Sequence, residues 1–198
     1  MNNATRMLAR LAVVFALCLG CSAALAASET FVPPDPGSDL DDLDHGKYYI
    51  WGIDVTWDTT TDMVETAALF FSQLHNHDNG TNDLWVHLLD DGPLGITTGN
   101  DWQDGVDEFL GQGILLVHYE DLSSSPEDRT YVFNDDQIET LNTYALDGRI
   151  ALAFDPDCHF YNEGIEFTVG TDTIPEPATF LIAGVGVLLA VMRKRKSA

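Results

Sequence analysis

The sequence predicts an all-β protein, an antiparallel β-sandwich of the jelly-roll type with one short helix. Short segments rich in β-branched and aromatic residues recur between residues 47 and 170, and loops rich in glycine, proline and acidic residues separate them. Only one segment, residues 135–145, has apolar residues at helical spacing. About seven strands with a single helical crossover favour two packed antiparallel sheets over an α/β fold.

The first predicted strand lies within residues 47–57. Its alternating apolar residues are Tyr49, Trp51, Ile53, Val55 and Trp57. A period of two is the pattern of a strand with one buried face. Residues 63–74 fit a helix as well as a strand, but the alternation of Ala67, Leu69 and Phe71 favours a strand.

The remaining strands, the loops and the helix are predicted from composition and from the turn-forming residues that separate the apolar segments. Further strands are predicted at residues 84–89, 114–119, 130–133, 150–154 and 165–169. Loops are predicted at residues 75–83, 90–105 and 120–128. In the helix, Ile138, Leu141 and Tyr144 share one face, acidic residues favour the start, and Gly148 marks the end.

The ends of the chain predict export. Residues 1–26 read as a signal peptide with Arg6, Arg10 and an apolar run at residues 11–19. The predicted cleavage site consists of Ala24, Ala26 and Ala27. A lipoprotein signal at Cys21 is the alternative, although a cysteine occupies position 18, where a lipobox has an aliphatic residue. Residues 27–46 form an acidic, proline-rich segment, residues 47–170 the sandwich domain and residues 171–198 a tail.

The acidic residues lie mainly in the middle of the chain, and most of the basic residues lie near its ends. Residues 27–174 contain 31 acidic residues against Lys47, Arg129 and Arg149, and hence a formal net charge of −28. A surface of this charge repels nucleic acid, anionic lipid and anionic polysaccharide unless divalent cations bridge them. Nucleic acid is therefore excluded as a partner.

The tail has three parts. Pro175, Glu176 and Pro177 form a short rigid spacer, because each proline restricts its own backbone and that of the preceding residue. Residues 178–192 are uncharged and predict a single transmembrane helix, and residues 193–198 begin with the basic cluster Arg193, Lys194, Arg195 and Lys196. Basic residues remain on the cytoplasmic side, so the domain lies outside the inner membrane. A fifteen-residue helix spans roughly 22 Å, less than the usual crossing of about 20 residues.

This tail resembles the PEP-CTERM sorting signal of Gram-negative bacteria. The resemblance implies that an exosortase, an integral-membrane cysteine transpeptidase, reads and processes it; an ordinary tail anchor is the alternative. Some ice-binding proteins carry a similar tail, which by itself indicates nothing about ice. The body, notably WGIDVTW and LDGRIALAFDPDCHFYNEGIEF, looks like the jelly-roll domains that precede this tail in other exported bacterial proteins. That likeness supports the fold and implies no catalytic residue.

Catalytic motifs are not evident in the sequence. The predicted mature chain keeps one cysteine, Cys158, and so cannot form an internal disulfide. Its neighbour His159 would point to the opposite side of an extended chain, which argues against a catalytic pair. No nucleophile elbow, P-loop or dinucleotide glycine pattern occurs. We therefore expect a protein that is not an enzyme.

Calcium is the hypothesised cofactor, because it binds six to eight oxygen ligands and acidic loops supply them. The candidate ligands are Asp39, Asp41, Asp42, Asp44, Asp155 and Asp157. They would meet if the first and last strands of the sandwich lie close together; solvated acidic loops are the alternative. His75 with His77, and His159 with Asp155 and Asp157, each share one face of an extended segment, but neither set has the spacing of a zinc motif.

These observations predict a non-enzymatic exported protein of the cell surface or extracellular matrix. The runner-up is a calcium-dependent carbohydrate-binding module, with extracellular polysaccharide as its partner. Trp102, between acidic residues in a glycine-rich loop, is the candidate sugar-stacking residue.

Overall fold

A computed structural model describes residues 27–34, 39–78, 80–101 and 105–174, and within these ranges the chain forms two antiparallel sheets. The strands are β1 (Ala27–Phe31), β2 (Asp42–Leu43), β3 (Lys47–Asp54), β4 (Asp62–Asn76), β5 (Asp83–Leu89), β6 (Gly95–Asn100), β7 (Ile114–Glu120), β8 (Glu127–Val132), β9 (Arg149–Pro156), β10 (Phe160–Tyr161) and β11 (Ile165–Thr173). One α-helix, α1 (Asp135–Tyr144), and two 3₁₀ turns, Asp39–Asp41 and Ala145–Asp147, complete the described elements.

The first sheet is built along β4, which is 15 residues long. Its strand order is β1-β11-β4-β10-β2, and β8 pairs with the other edge of β4. β11 pairs with the first part of β4, from Asp62 to Phe71, and β10 pairs with its end, at His75 and Asn76. The two short strands β2 and β10 therefore lie at the end of the sheet far from Asp62.

The second sheet has the strand order β6-β3-β9-β5-β7. β9 is its central strand, buried along nearly its whole length and paired with β3 and β5. The segment predicted as a strand at residues 47–57 is β3, and the strands predicted near residues 84, 114 and 150 are β5, β7 and β9. The ambiguous segment at residues 63–74 lies in the strand β4, as the alternation favoured.

The two sheets pack face to face through one apolar core. Phe71 of the first sheet contacts Tyr119 and Phe154 of the second edge-to-face, with ring centroids 6.1 and 6.0 Å apart. The alternating residues Tyr49, Trp51 and Ile53 all belong to this core. The predicted β-sandwich is therefore confirmed.

The predicted helix is α1. Asn134 accepts a hydrogen bond from the backbone N–H of Gln137, and the Gln137 side chain accepts one from the backbone N–H of Asn134, forming a capping box. The 3₁₀ turn that follows ends at Gly148, whose φ of 92° suits glycine. Leu141 and Ala145 anchor the helix in the core.

Two parts of the sequence prediction need correction. The loop predicted at residues 90–105 contains β6, an edge strand paired with β3. Its threonines and glycines show no alternation of apolar residues that would predict a strand. Hydrogen bonds to β3 along one side hold it extended. The acidic segment at residues 27–46 begins with β1, which pairs with β11 over five residues. β11 itself continues to Thr173, into the predicted tail.

The predicted signal peptide and the predicted transmembrane helix at residues 178–192 lie outside the described residues. Among the helices that the structure does describe, none has the length and apolar composition to cross a membrane.

Candidate functional site

The predicted site residues fall into three groups. The sorting residues Pro175, Glu176, Pro177, Arg193, Lys194, Arg195 and Lys196, the cleavage residues Ala24 and Ala26, and Trp102 lie outside the described residues. Ala27 is exposed at the start of β1. The acidic candidates lie in the 3₁₀ turn Asp39–Asp41, in and after β2 at Asp42 and Asp44, and at the end of β9 at Asp155 and Asp157.

Four of the six histidines meet at one end of the sandwich, together with a tyrosine. We call His45, His75, His77, His159 and Tyr161 the histidine end. The ring of His159 is central, with centroids 6.0 Å from His45, 5.9 Å from His77 and 4.7 Å from Tyr161. The ring of His75 lies 5.5 Å from that of Tyr161. Side chains from three distant segments therefore form one continuous aromatic and imidazole surface.

Two of the predicted carboxylates belong to this surface. Asp42 is hydrogen-bonded to Nε2 of His159, and Asp44 Oδ1 lies 3.6 Å from Nδ1 of His45. One ligand atom each from Asp44, His45 and His159 lie within 4.8 Å of one another. A carboxylate oxygen and two imidazole nitrogens at this separation are donors that a transition metal accepts.

Backbone pairing holds the histidine end in place. Phe160 in β10 pairs with Leu43 in β2 on one side and with Asn76 in β4 on the other. The backbone N–H of His77 also donates to the carbonyl of His159, at 2.8 Å. The side chain of Phe160 is fully buried, so β10 is anchored between its neighbours. The backbones of His75, His77 and His159 are thus fixed by the pairing of β2, β10 and β4.

A second polar region lies on the face of the second sheet that points away from the core. Trp85 pairs with Asp155 on one side and with His118 on the other, so the three side chains share this outer face. The segment 105–113 covers part of it, where Phe109 packs on Ala151 and Ala153. Sequence patterning had assigned no role to this face.

Asp155 is the most buried carboxylate of the outer face, with 0% of its surface exposed. Its Oδ2 accepts a hydrogen bond from the backbone N–H of Glu108 at 2.7 Å, and its carboxyl group also forms a side-chain hydrogen bond with Asp101. Burial raises its pKa to about 7, with further contributions from the charges of Asp101 and Asp157, against the lowering effect of the Glu108 hydrogen bond. We call Asp101, Asp155 and Asp157 the buried acidic site.

Two histidine–carboxylate pairs flank this site. Nε2 of His87 lies 2.9 Å from Asp107, and both side chains are largely buried. Nε2 of His118 lies 2.7 Å from Asp83, and Asp83 is directly opposite Glu120 in the ladder between β5 and β7. Like charges directly opposite each other are unfavourable, and the intervening imidazole or a cation would offset that repulsion.

The carboxylates predicted to share one calcium site lie in different surroundings. Asp42 and Asp44 face His45 and His159, whereas Asp155 faces Asp101 and the segment before Phe109. No cluster of three close metal-binding groups found among the described residues joins the two sets. The calcium site therefore remains a prediction.

The sequence pattern does not predict the histidine end as a unit. The signal was present in part, because His75 and His77 alternate and His159 follows two alternating aspartates. Their convergence depends on β10 pairing with β4, and a two-residue strand between loops has no sequence pattern that would predict it. Cys158, also in this loop, is a free cysteine whose side chain packs against the core.

Together these features define an antiparallel β-sandwich that exposes a histidine-rich, acid-lined surface. Residues 173–196 match the family model of the PEP-CTERM protein-sorting motif. The predicted resemblance of the tail is confirmed. The motif implies an exported protein that is anchored in the membrane and then processed, with exosortase as the processing partner.

Comparison of the folded part with other proteins adds no function. No curated protein matches this sequence. Among solved structures, recombinantly expressed latent aurone synthase (a polyphenol oxidase) matches with a TM-score of 0.38 and 8% identity over 69% of this chain and 26% of that chain. The same enzyme from its natural source matches with a TM-score of 0.34 and 10% identity, over 64% of this chain and 24% of its own. This chain therefore spans about a quarter of those structures.

A decameric BFDV capsid protein matches with a TM-score of 0.30 and 13% identity, over 77% of this chain and 98% of that chain. TM-scores this low establish neither a shared fold nor a shared activity.

Proposed function

We propose that this chain is a non-enzymatic exported protein of the cell surface or extracellular matrix, whose acidic β-sandwich is delivered by its PEP-CTERM tail. The observation that carries the proposal is the match of residues 173–196 to that sorting motif. The formal net charge of −28 on residues 27–174 fits a soluble domain exposed to a saline medium.

The position of the tail on the domain supports a display role. β11 ends at Thr173, where the sorting motif begins, and Thr173 pairs with Asp62 at the start of β4. The histidine end lies at the other end of β4, roughly 40 Å away at about 3.3 Å per residue. A domain held by its tail would therefore present the histidine end away from the point of attachment.

The strand order supports the finer fold proposal, a jelly roll. With β2, β6 and β10 set aside, the eight remaining strands in chain order are β1, β3, β4, β5, β7, β8, β9 and β11. Numbered from one to eight, they give one sheet of order 1-8-3-6 and one of order 2-7-4-5. That order is the one expected of the double Greek key of a jelly roll, a fold used widely for binding and assembly, and it supports the proposal.

The proposal is tested in the native bacterium with and without its exosortase. We expect the wild-type cell to hold a mature chain that begins at Ala27 and has lost Arg193–Lys196, as measured by mass spectrometry of both ends. Without exosortase, the basic end should remain and the chain should stay in the inner membrane. Recovery of the intact chain, from Met1 to Ala198, in the cytosol would contradict the proposal.

A calcium-dependent carbohydrate-binding module is the second candidate. The buried acidic site favours it, because Asp155 is fully buried beside the carboxyl groups of Asp101 and Asp157, and a calcium ion would compensate their charge. Glycan binding, measured on an array, distinguishes the two functions. Binding that is abolished by a chelator, by Asp155→Asn and by Trp102→Ala supports the second candidate; a folded protein that binds no glycan supports the first.

A further inference from the structure

We propose that Asp44, His45 and His159 bind a divalent transition metal ion, zinc by the chemistry of the donors. This inference goes beyond delivery to the cell surface, and it concerns a different place from the buried acidic site. The three donor groups come from the turn after β2 and from the loop before β10, 114 residues apart in the sequence between His45 and His159. Folding alone brings them together.

The separation of the donors is close to what zinc requires. One ligand atom from each of the three residues lies within 4.8 Å of the others. In a tetrahedral site with bonds of about 2.0–2.2 Å, two ligand atoms stand roughly 3.3 Å apart, so the donors close by an ångström or so on binding. His45 is exposed in a turn and is free to supply that adjustment by rotation of its side chain.

The hydrogen bond between Asp42 and His159 is an independent indication. Histidines that bind metals commonly give their other ring nitrogen to a carboxylate, which fixes the tautomer and the orientation of the ring. Asp42 is bonded to Nε2 of His159, so Nδ1 is the nitrogen left to hold a metal. Asp42 is thus a positioning residue, and the predicted carboxylate cluster contributes one ligand and one such residue.

The donor set selects the metal. Two imidazoles and one carboxylate suit zinc and its neighbours in the transition series, whereas calcium prefers oxygen ligands alone. Three protein ligands leave a fourth position open to water or to an external donor. His77 is the nearest further imidazole, with its ring centroid 5.9 Å from that of His159.

The test uses the full-length chain, purified in detergent with an affinity tag that contains no histidine. Zinc is titrated by calorimetry, and the melting temperature is followed in parallel. At a zinc concentration a hundredfold above the dissociation constant we expect a rise of roughly 5–10 °C, and calcium should not displace zinc from this site. Binding should weaken as the pH falls, because protons compete with the metal for the imidazole nitrogens.

Variants locate the site. His45→Ala and His159→Ala should each weaken zinc binding at least tenfold, and Asp42→Asn should weaken it by roughly 10- to 100-fold through the orientation of His159. His45 lies in an exposed turn, so its variant keeps the test valid if His159→Ala fails to fold. The matched control is His118→Ala, which removes the imidazole between Asp83 and Glu120.

Two results would overturn the assignment. Unchanged zinc affinity in a folded His45→Ala chain would show that His45 is not a ligand and that the proposed site is wrong. Loss of zinc binding in His118→Ala, with His45→Ala unaffected, would place the metal instead at Asp83, His118 and Glu120, whose donor atoms also lie within 4.8 Å of one another. Failure of the metal proposal leaves the sorting of the chain untouched, since processing by exosortase is measured separately at the chain ends.

Discussion

The side-chain amide of Asn142 hydrogen-bonds both backbone groups of Val64. Its oxygen accepts from the Val64 N–H at 2.8 Å, and its nitrogen donates to the Val64 carbonyl at 2.9 Å. β8 pairs with β4 only from Ala68 onward, so at Val64 this edge of β4 has no neighbouring strand. Helix α1 thus completes the ladder with one side chain, and it covers an edge that could otherwise pair with another chain.

Replacement of Asn142 by alanine should destabilise the domain by about 2–3 kcal/mol, because both Val64 groups lose their partner in a partly buried place. Urea unfolding measures the change. Thr143→Ala is the matched control on the same helix: its side chain is exposed and bonds only to the carbonyl of Glu139, so we expect a change within about 0.5 kcal/mol. Equal effects of the two variants would mean that the Asn142 contacts contribute nothing.

Gly52 in β3 is required by a close backbone approach. A Cβ built at this residue would lie 2.1 Å from the carbonyl oxygen of Pro93 and 2.6 Å from its carbonyl carbon. Backbone atoms cannot move aside as a flexible side chain would, so Gly52→Ala should cost about 3 kcal/mol or more, or prevent folding. Gly46, in the turn before the same strand, has nothing within 4 Å of the equivalent atom, and Gly46→Ala should be stable to within about 0.5 kcal/mol in the same urea titration.

Much of the sandwich could be predicted because its strands carry their own pattern. β3 and β11 alternate apolar residues on one face, and β5, β7 and β9 are short apolar runs between turn residues. β6, β2 and β10 could not be found this way. They are edge or very short strands whose structure comes from hydrogen bonds to a neighbouring strand. The local sequence does not show which strand that neighbour is or how the two are aligned.

The same limit applies to the site. The sequence predicts that the aspartates near residue 42 meet those at the end of β9. In the structure Asp42 does reach the loop after β9, but it contacts His159 and not Asp155. Side chains alternate along an extended segment, so the face that Asp155 occupies depends on its pairing with Trp85. Residue types alone could identify candidate ligands, but they could not show which of these residues lie close together.

The capping box of α1 gives a smaller and sharper prediction. Asn134→Ala removes the acceptor for the Gln137 N–H, at 3.0 Å, and should reduce the free energy of unfolding by about 1 kcal/mol. Asn134→Ser preserves a capping oxygen and should lose only a few tenths of that. Identical stabilities for the two variants, measured by thermal unfolding, would show that the cap does not limit the helix.

Asp155 predicts an unusual dependence of stability on pH. Its folded pKa of about 7 lies above the ordinary aspartate value of 3.8, because burial and the nearby acids Asp101 and Asp157 disfavour its charge. Between pH 4 and pH 7, as a rough window, the folded chain keeps a proton that the unfolded chain has lost. The free energy of unfolding therefore falls as pH rises through that window, by at most about 4 kcal/mol from this group.

Asp155→Asn isolates the effect, since asparagine can still accept the hydrogen bond from Glu108 but never ionises. In chelator-containing buffer the variant should be about as stable as the parent chain at pH 5 and more stable by a few kcal/mol at pH 8, as measured by urea unfolding. Carboxylates remote from Asp155 titrate in both chains and cancel. Asp128→Asn is the control with the opposite sign: hydrogen bonds from Gln73 lower the pKa of Asp128 below 3.8, so its difference from the parent should be constant between pH 5 and pH 8. A constant difference for Asp155→Asn as well would mean that Asp155 is ionised in the folded protein throughout this range, and would contradict the raised pKa.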